Sequence, residues 1–196
     1  MRARMSLFLV AASFLLGGCA ASLHRVAPEK NCVFDPSLLG KWIHTEKDGE
    51  RTEYLVEKEG LDGYRISSVP PEKTLKQVYT AHVFRLGDAL FYDAVFSNVA
   101  QKEETLDAED LGVYRTHAFG RIWIQPDVIR VGELNEDWLG TALDSKKVTL
   151  KYEEGDSHAG VDILLTGSPE EIRAFAQKYA DDKDAFSMGA VYHRQK

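Results

Sequence analysis

Between residues 39 and 166 apolar and polar positions alternate in short runs, and turn-forming residues punctuate them. Alternation at period two sends successive side chains to opposite faces, the pattern of a half-buried strand. Such runs occupy residues 39–47, 52–57, 64–68, 77–86, 89–97, 115–125, 128–133, 147–153 and 161–166. Asp48-Gly49, Gly87-Asp88 and Pro126-Asp127 join three successive pairs through tight hairpin turns, and Gly155-Asp156-Ser157-His158-Ala159-Gly160 joins a fourth. Residues 98–114 are polar and acidic and read as a loop, with a helical turn over 105–112. Asn135 caps a short helix carrying Trp138, Leu139 and Leu143. Ser168-Pro169-Glu170-Glu171 then combines a capping serine, a proline at the first helical position and a glutamate at the third. Ile172, Phe175, Ala176 and Tyr179 follow at i, i+3, i+4 and i+7, an apolar stripe that must lie on a partner surface. The sum is a mainly β fold: an antiparallel meander of about eight to nine strands that removes its edges by closing into a barrel, with a C-terminal helix packed on it.

The N-terminus has a different character. Arg2 and Arg4 precede an apolar run from Met5 to Leu16, which ends in Gly17-Gly18-Cys19. A basic start, a short apolar stretch and small residues at its end make a secretory signal, too short for a mature transmembrane helix. Leu16-Gly17-Gly18-Cys19 resembles the bacterial lipobox. That resemblance implies diacylation of the Cys19 sulfur, cleavage before it, and attachment to a membrane through the lipid. Ala20, by resemblance to Gram-negative lipoproteins, implies sorting to the outer membrane, with the body facing the periplasm. The expected organisation is a signal peptide over 1–18, a lipidated tether over 19–34, and a single domain over 35–196. Cleavage alters the electrostatics: the whole chain carries −7, whereas residues 19–196 keep 22 basic against 31 acidic residues, or −9. An acidic body lacks the positive footprint that nucleic acid requires, so nucleic acid is excluded as a partner class. With Cys19 committed to lipid, Cys32 has no intramolecular mate, and reads either as a small buried hydrophobe or as a free thiol.

Leu39-Gly40-Lys41-Trp42, opening the first long strand, resembles the Gly-x-Trp signature of the lipocalins. The resemblance implies a lipocalin-like barrel whose base is closed by Trp42, with a late arginine, such as Arg121 or Arg130, stacked on that ring. Gly87-Asp88-Ala89-Leu90-Phe91 and the terminal helix resemble a family of uncharacterised bacterial lipoproteins with a lipocalin-like body. Alternation groups Gly40, Trp42 and His44 on one face of their strand. It likewise groups Val78, Thr80, His82, Phe84 and Leu86, and then His117, Phe119, Arg121 and Trp123. It does not say which side each set faces. The candidate ligand-binding residues are Trp42, His44, Tyr54, His82, Phe91, Phe119 and Trp123.

Catalytic and metal chemistry find little support in the residue pattern. The six histidines, His24, His44, His82, His117, His158 and His193, show no zinc-ligand spacing, so neither metal nor cofactor is expected. Gly155-Asp156-Ser157 resembles the start of one esterase family, yet it sits in a hairpin turn whose chemistry explains the same three residues. Glu103, Glu104, Asp107, Glu109 and Asp110 crowd one loop rather than facing each other across a cleft, as a two-carboxylate glycosidase requires. No catalytic residue is assigned. The expected function is a non-catalytic, lipid-anchored binding module for a small apolar or amphiphilic ligand. The alternative is a packed barrel that contacts or inhibits another envelope protein.

Overall fold

The computed structural model describes residues 20–30, 32–69, 76–101, 104–107, 115–154 and 162–196. Cys19 with its lipobox, most of the acidic loop, and Gly155 to Gly160 lie outside the described residues. In chain order the elements are β1 (Ala21–Ser22), a 3-10 turn (Pro36–Leu38), β2 (Gly40–Thr45), β3 (Arg51–Glu59), β4 (Gly63–Val69), β5 (Lys76–Leu86), β6 (Ala89–Gln101) and β7 (Glu104–Asp107). These are followed by β8 (His117–Gln125), β9 (Val128–Leu134), α1 (Glu136–Asp144), β10 (Tyr152–Glu154), β11 (Ile163–Leu165), α2 (Pro169–Lys178) and β12 (Phe186–Arg194).

Eight strands close a continuous antiparallel barrel in the order β2-β3-β4-β5-β6-β8-β9-β12, and β12 returns to β2. The expected meander and closure are therefore present. Three details differ from the sequence reading. The closing strand is β12, whose Tyr192 pairs with Ile129 on one side and His44 on the other, a segment to which the alternation pattern assigns no strand. Consequently α2 is not the last element but precedes the strand that shuts the barrel. The fourth hairpin pair, β10 and β11, forms as expected but stands outside the barrel, extending the sheet from β8 through β1. Glu104–Asp107, read as loop and helical turn, instead pairs with the far half of β6.

Residues 20–34 also depart from the expected tether. Ala20, Ala21, Ser22, Val26 and Ala27 are buried, and β1 lies parallel to β11 and antiparallel to β8. The segment is held because it supplies small apolar side chains and two backbone donors to one buried carboxylate. The Val26 and Ala27 N–H groups donate to Asp93 Oδ2 at 2.5 and 2.9 Å. His117 Nδ1 stands 2.7 Å from the other oxygen, Oδ1, and since a carboxylate only accepts, this ring nitrogen carries the proton. Arg173 on α2 adds a bond to the Val26 carbonyl at 2.9 Å. The chain then runs along β5, where Cys32 bridges to Phe84 and the Val33 N–H donates to the Val83 carbonyl, and reaches the 3-10 turn under the barrel. Cys32 is half-buried and its thiol is pushed up by that burial, with Asp62 adding to the effect, which favours the buried-hydrophobe reading over a reactive thiol.

Two apolar cores share the barrel wall. One fills the interior with Leu38, Trp42, Tyr54, Tyr64, Ala81, Val83, Tyr92, Ala94, Ile122, Ile129 and Val131. The other lies outside, where α1, α2 and residues 20–27 cover Phe84, Phe91, Phe119 and Phe186. The α2 stripe, Ile172, Phe175, Ala176 and Tyr179, is buried in this outer core as its spacing requires, and Ser168 with Glu171 forms the expected capping box. Each large member contributes about 1.5–3 kcal/mol by burial. Arg121 ties the layers together: its guanidinium lies over Phe91 and Trp123 and donates to the Ala180 carbonyl just past the end of α2, where a cation meets the negative end of the helix dipole. β8 and β9 approach closely here. A Cβ on Gly120 would stand 2.2 Å from the Gly132 carbonyl oxygen, so only glycine fits.

Candidate functional site

The site grows from the alternation of the strands that face inward. On β2 the inward set is Gly40, Trp42 and His44. Register then places Tyr54 beside Trp42, Ser68 beside Tyr54, Ile66 beside Tyr79, Tyr79 beside Phe96, and Tyr92 beside Gly120. At the base, Trp42 is 1% exposed and its Nε1 donates to the Leu38 carbonyl at 2.8 Å. Arg194 covers the ring from below, its guanidinium carbon 4.2 Å from the ring centre, and donates to the carbonyls of Leu39 and Ser37. The expected arginine on tryptophan is thus found, but it is Arg194, because β12 is the strand registered against β2. Arg121 faces the outer core, and Arg130 bonds Gln125 instead.

Above this base a cavity of about 110 Å³ remains among the inward side chains. Trp42, Tyr54, Tyr64, Tyr79, Tyr92 and Tyr192 supply its aromatic wall, and Val56, Ile66, Ile122, Ile129 and Val131 are among its aliphatic neighbours. Tyr54 and Tyr192 meet edge to face with centroids 5.2 Å apart, and Tyr79 meets Phe96 at 5.6 Å in the same manner. Burial drives the Tyr54 phenol up, with Tyr192 adding, and drives the Tyr192 phenol up, with Glu133 and Glu46 adding. Tyr79 is pushed up to about 12 by burial alone. All three remain neutral hydroxyls across physiological pH, so none acts as a base there.

Toward the end where β2 and β3 turn, the interior becomes more polar. His44 Nδ1 donates to the Val191 carbonyl at 2.9 Å, and its Nε2 lies 3.2 Å from Glu46. Thr52 and Ser68 stand on the same inward face, and their hydroxyls are buried without a partner.

Of the seven candidate residues, Trp42 and Tyr54 line the cavity. His44 points inward but sits nearer the mouth. His82, Phe91, Phe119 and Trp123 belong to the opposite face. Phe91 and Phe119 pack in the outer core, and Trp123 lies under Arg121. His82 registers with Asp93 and Gly63 on the outer face, where burial and Arg25 lower its pKa. The physical reason is that β5, β6 and β8 are covered on both faces, so apolar alternation does not distinguish inside from outside. Tyr64, Tyr79, Tyr92 and Tyr192 also line the cavity, and the residue pattern alone does not pick them out. No intact alternation announces the last of them, because the register of β12 against β9 shifts between Met188 and Val191 and leaves Phe186 in the outer core while Tyr192 faces the cavity.

His44, His82 and His117 share no cavity. Asp93 and His117 form a carboxylate–imidazole pair with Ser22 directly opposite His117 in register, but the Ser22 hydroxyl donates to the His24 carbonyl at 2.7 Å and is wholly buried. That serine lacks the access and the base contact of a nucleophile. Among the described residues no cluster of three metal-ligating side chains occurs, and no helix is long and apolar enough to cross a membrane.

Fold and site together define an eight-stranded antiparallel barrel with a closed base and an apolar interior cavity. Compared with protein-family models, curated proteins and solved structures, the chain matches none.

Proposed function

We propose that this chain is a non-catalytic binding module of the bacterial cell envelope, which holds a small apolar or amphiphilic ligand inside its barrel. The observation that carries the reading is the cavity itself. Eight strands enclose a space whose lining is aromatic and aliphatic, above a base sealed by Trp42 and Arg194. A packed barrel would fill that space with side chains. Apolar cavities near this size accept apolar guests such as benzene. The lipocalin resemblance at Gly40-Lys41-Trp42 supports the same reading, as does the placement of Trp42 at the base.

Toluene tests it, by its effect on thermal unfolding of the full chain. A guest that binds only the folded state raises Tm with concentration. Ala94→Phe, which places a ring from β6 into the cavity, abolishes the toluene-dependent rise while leaving a cooperative transition. A rise of equal size in the variant, or none in the parent, contradicts the proposal.

Attachment rests on Leu16-Gly17-Gly18-Cys19, with Cys19 as the acylated residue and the outer membrane, periplasmic face, as the location. Ala20 is 2% exposed in the outer core, so the folded body begins at the residue after the anchor. The lipid would tie the barrel to the membrane without relying on charge, which the net −9 of residues 19–196 does not favour. Expressed in a Gram-negative host, the chain should fractionate with membranes and carry acyl mass on its N-terminal peptide. Cys19→Ser should release it to the soluble fraction and remove that mass.

A further inference from the structure

Resting on the reading of the barrel as a ligand-binding module, we infer that its ligand is a small uncharged ring compound bearing one hydrogen-bonding group, in the manner of a phenol or cyclic alcohol, and not a fatty acid. Three observations converge on that class. The first is size. A cavity of about 110 Å³ is close to the engineered apolar cavity of roughly 150 Å³ that takes up benzene, and well below the roughly 300 Å³ at which pockets for drug-sized ligands begin. A long acyl chain has no room. The shape of the lining points the same way, since Trp42, Tyr54, Tyr64, Tyr79, Tyr92 and Tyr192 offer ring faces and edges that pack best against another ring.

The second is charge. No lysine or arginine is among the side chains lining the cavity. A carboxylate placed there would lose its hydration without gaining a counter-charge, a cost far above what an apolar contact returns. Tyr192 meets the rings of Tyr54 and His44 at 5.2 and 5.3 Å, and Glu133 on β9 and Glu46 beyond β2 add to the rise that burial imposes on its phenol, so no positive side chain of the lining is there to pair with an anion.

The third is a pair of hydroxyls with nothing to bond. Thr52 and Ser68 are each 1% exposed, stand on the inward face of the adjacent strands β3 and β4, and are diagonal neighbours across the pair Tyr54 and Ser68. Neither Oγ has a hydrogen-bond partner. Neither lines the cavity itself, but both flank Tyr54, which does; buried hydroxyls are satisfied in the large majority of cases, so two open ones next to that ring mark the place for the polar group of a guest. A ring seated among the tyrosines with its hydroxyl toward Thr52 and Ser68 satisfies all three observations.

The test compares four probes on the full chain near neutral pH, by calorimetric titration. They are p-cresol (neutral, with a hydroxyl), toluene (the same ring without it), benzoate (the ring as an anion) and dodecanoate (a long-chain anion). The inference expects p-cresol to bind at least about tenfold more tightly than toluene, a difference of the size that one satisfied buried hydrogen bond supplies. Benzoate and dodecanoate should give no saturable signal over the same range. Thr52→Val combined with Ser68→Ala should reduce p-cresol to the level of toluene and leave toluene unchanged; Ser68→Ala alone serves if the pair does not fold. Equal binding of p-cresol and toluene, or binding of benzoate or dodecanoate at least as tight as that of p-cresol, overturns the inference while the binding-module reading stands. No binding by any of the four to the folded chain overturns both.

Discussion

Asp93→Ala lowers the stability of the fold by about 3–5 kcal/mol, the scale for removing one partner of a buried, hydrogen-bonded charge. Asp93 is 2% exposed, and one of its oxygens accepts the N–H groups of both Val26 and Ala27 while the other faces His117. Alanine leaves two buried backbone donors and an imidazole N–H without acceptors, each carrying its own desolvation cost. Asp93→Asn keeps the shape and one acceptor, and should fall between the two. The loss is read from urea unfolding at neutral pH. A second readout locates it. Arg25 sits in the docked segment next to these donors, so tryptic cleavage after Arg25 in the folded protein should be slow in the parent and more than about tenfold faster in Asp93→Ala, as local opening becomes cheaper. A variant as stable as the parent, and as resistant at Arg25, would show that the carboxylate does not hold residues 20–27 to the wall.

Trp42→Ala is the second large effect, also about 3–5 kcal/mol by the range for a buried tryptophan cut to alanine. Its ring is buried against Leu38, stacked by Arg194 and bonded through Nε1 to the Leu38 carbonyl. The cation–π contact accounts for about 1–2 kcal/mol of this when partly desolvated. Trp42→Phe separates packing from the polar bond: most of the apolar contact survives, the Leu38 carbonyl loses its donor, and the cost should be about 1–3 kcal/mol. Both variants are compared by urea unfolding, and Trp42→Ala should also weaken uptake of any guest, because it removes the floor of the cavity. If Trp42→Ala unfolds like the parent, the base is closed by something other than this ring.

Much of the barrel is legible in the chain, because local signals and tertiary demands agree there. The turns at Asp48-Gly49, Gly87-Asp88 and Pro126-Asp127 fall between paired strands, and Trp42 stands at the base. The caps at Asn135 and Ser168 start α1 and α2. What escaped has identifiable causes. β12 carries Gly189 within it and its register against β9 shifts between Met188 and Val191, so its alternation is broken where a periodic reading needs it intact. The docking of residues 20–27 depends on Asp93, 66 or 67 positions away in sequence, and no local pattern announces that contact. The site was half legible for a related reason. Trp42, His44 and Tyr54 come from strands whose other face meets solvent more, whereas Phe91, Phe119 and Trp123 come from strands flanked by a second core. There both faces are apolar, and only register reveals that Asp93 and Phe119 look outward while Tyr92 looks in.

An amide NMR titration of the full chain with p-cresol asks whether the barrel interior is an open apolar site. Saturable shifts should fit one site and gather on Trp42, Tyr54, Tyr64, Ala94 and Ile122, with Phe91, Phe119 and Phe186 in the outer core unmoved. Absence of saturable shifts, or shifts concentrated in the outer core, would contradict an open apolar interior.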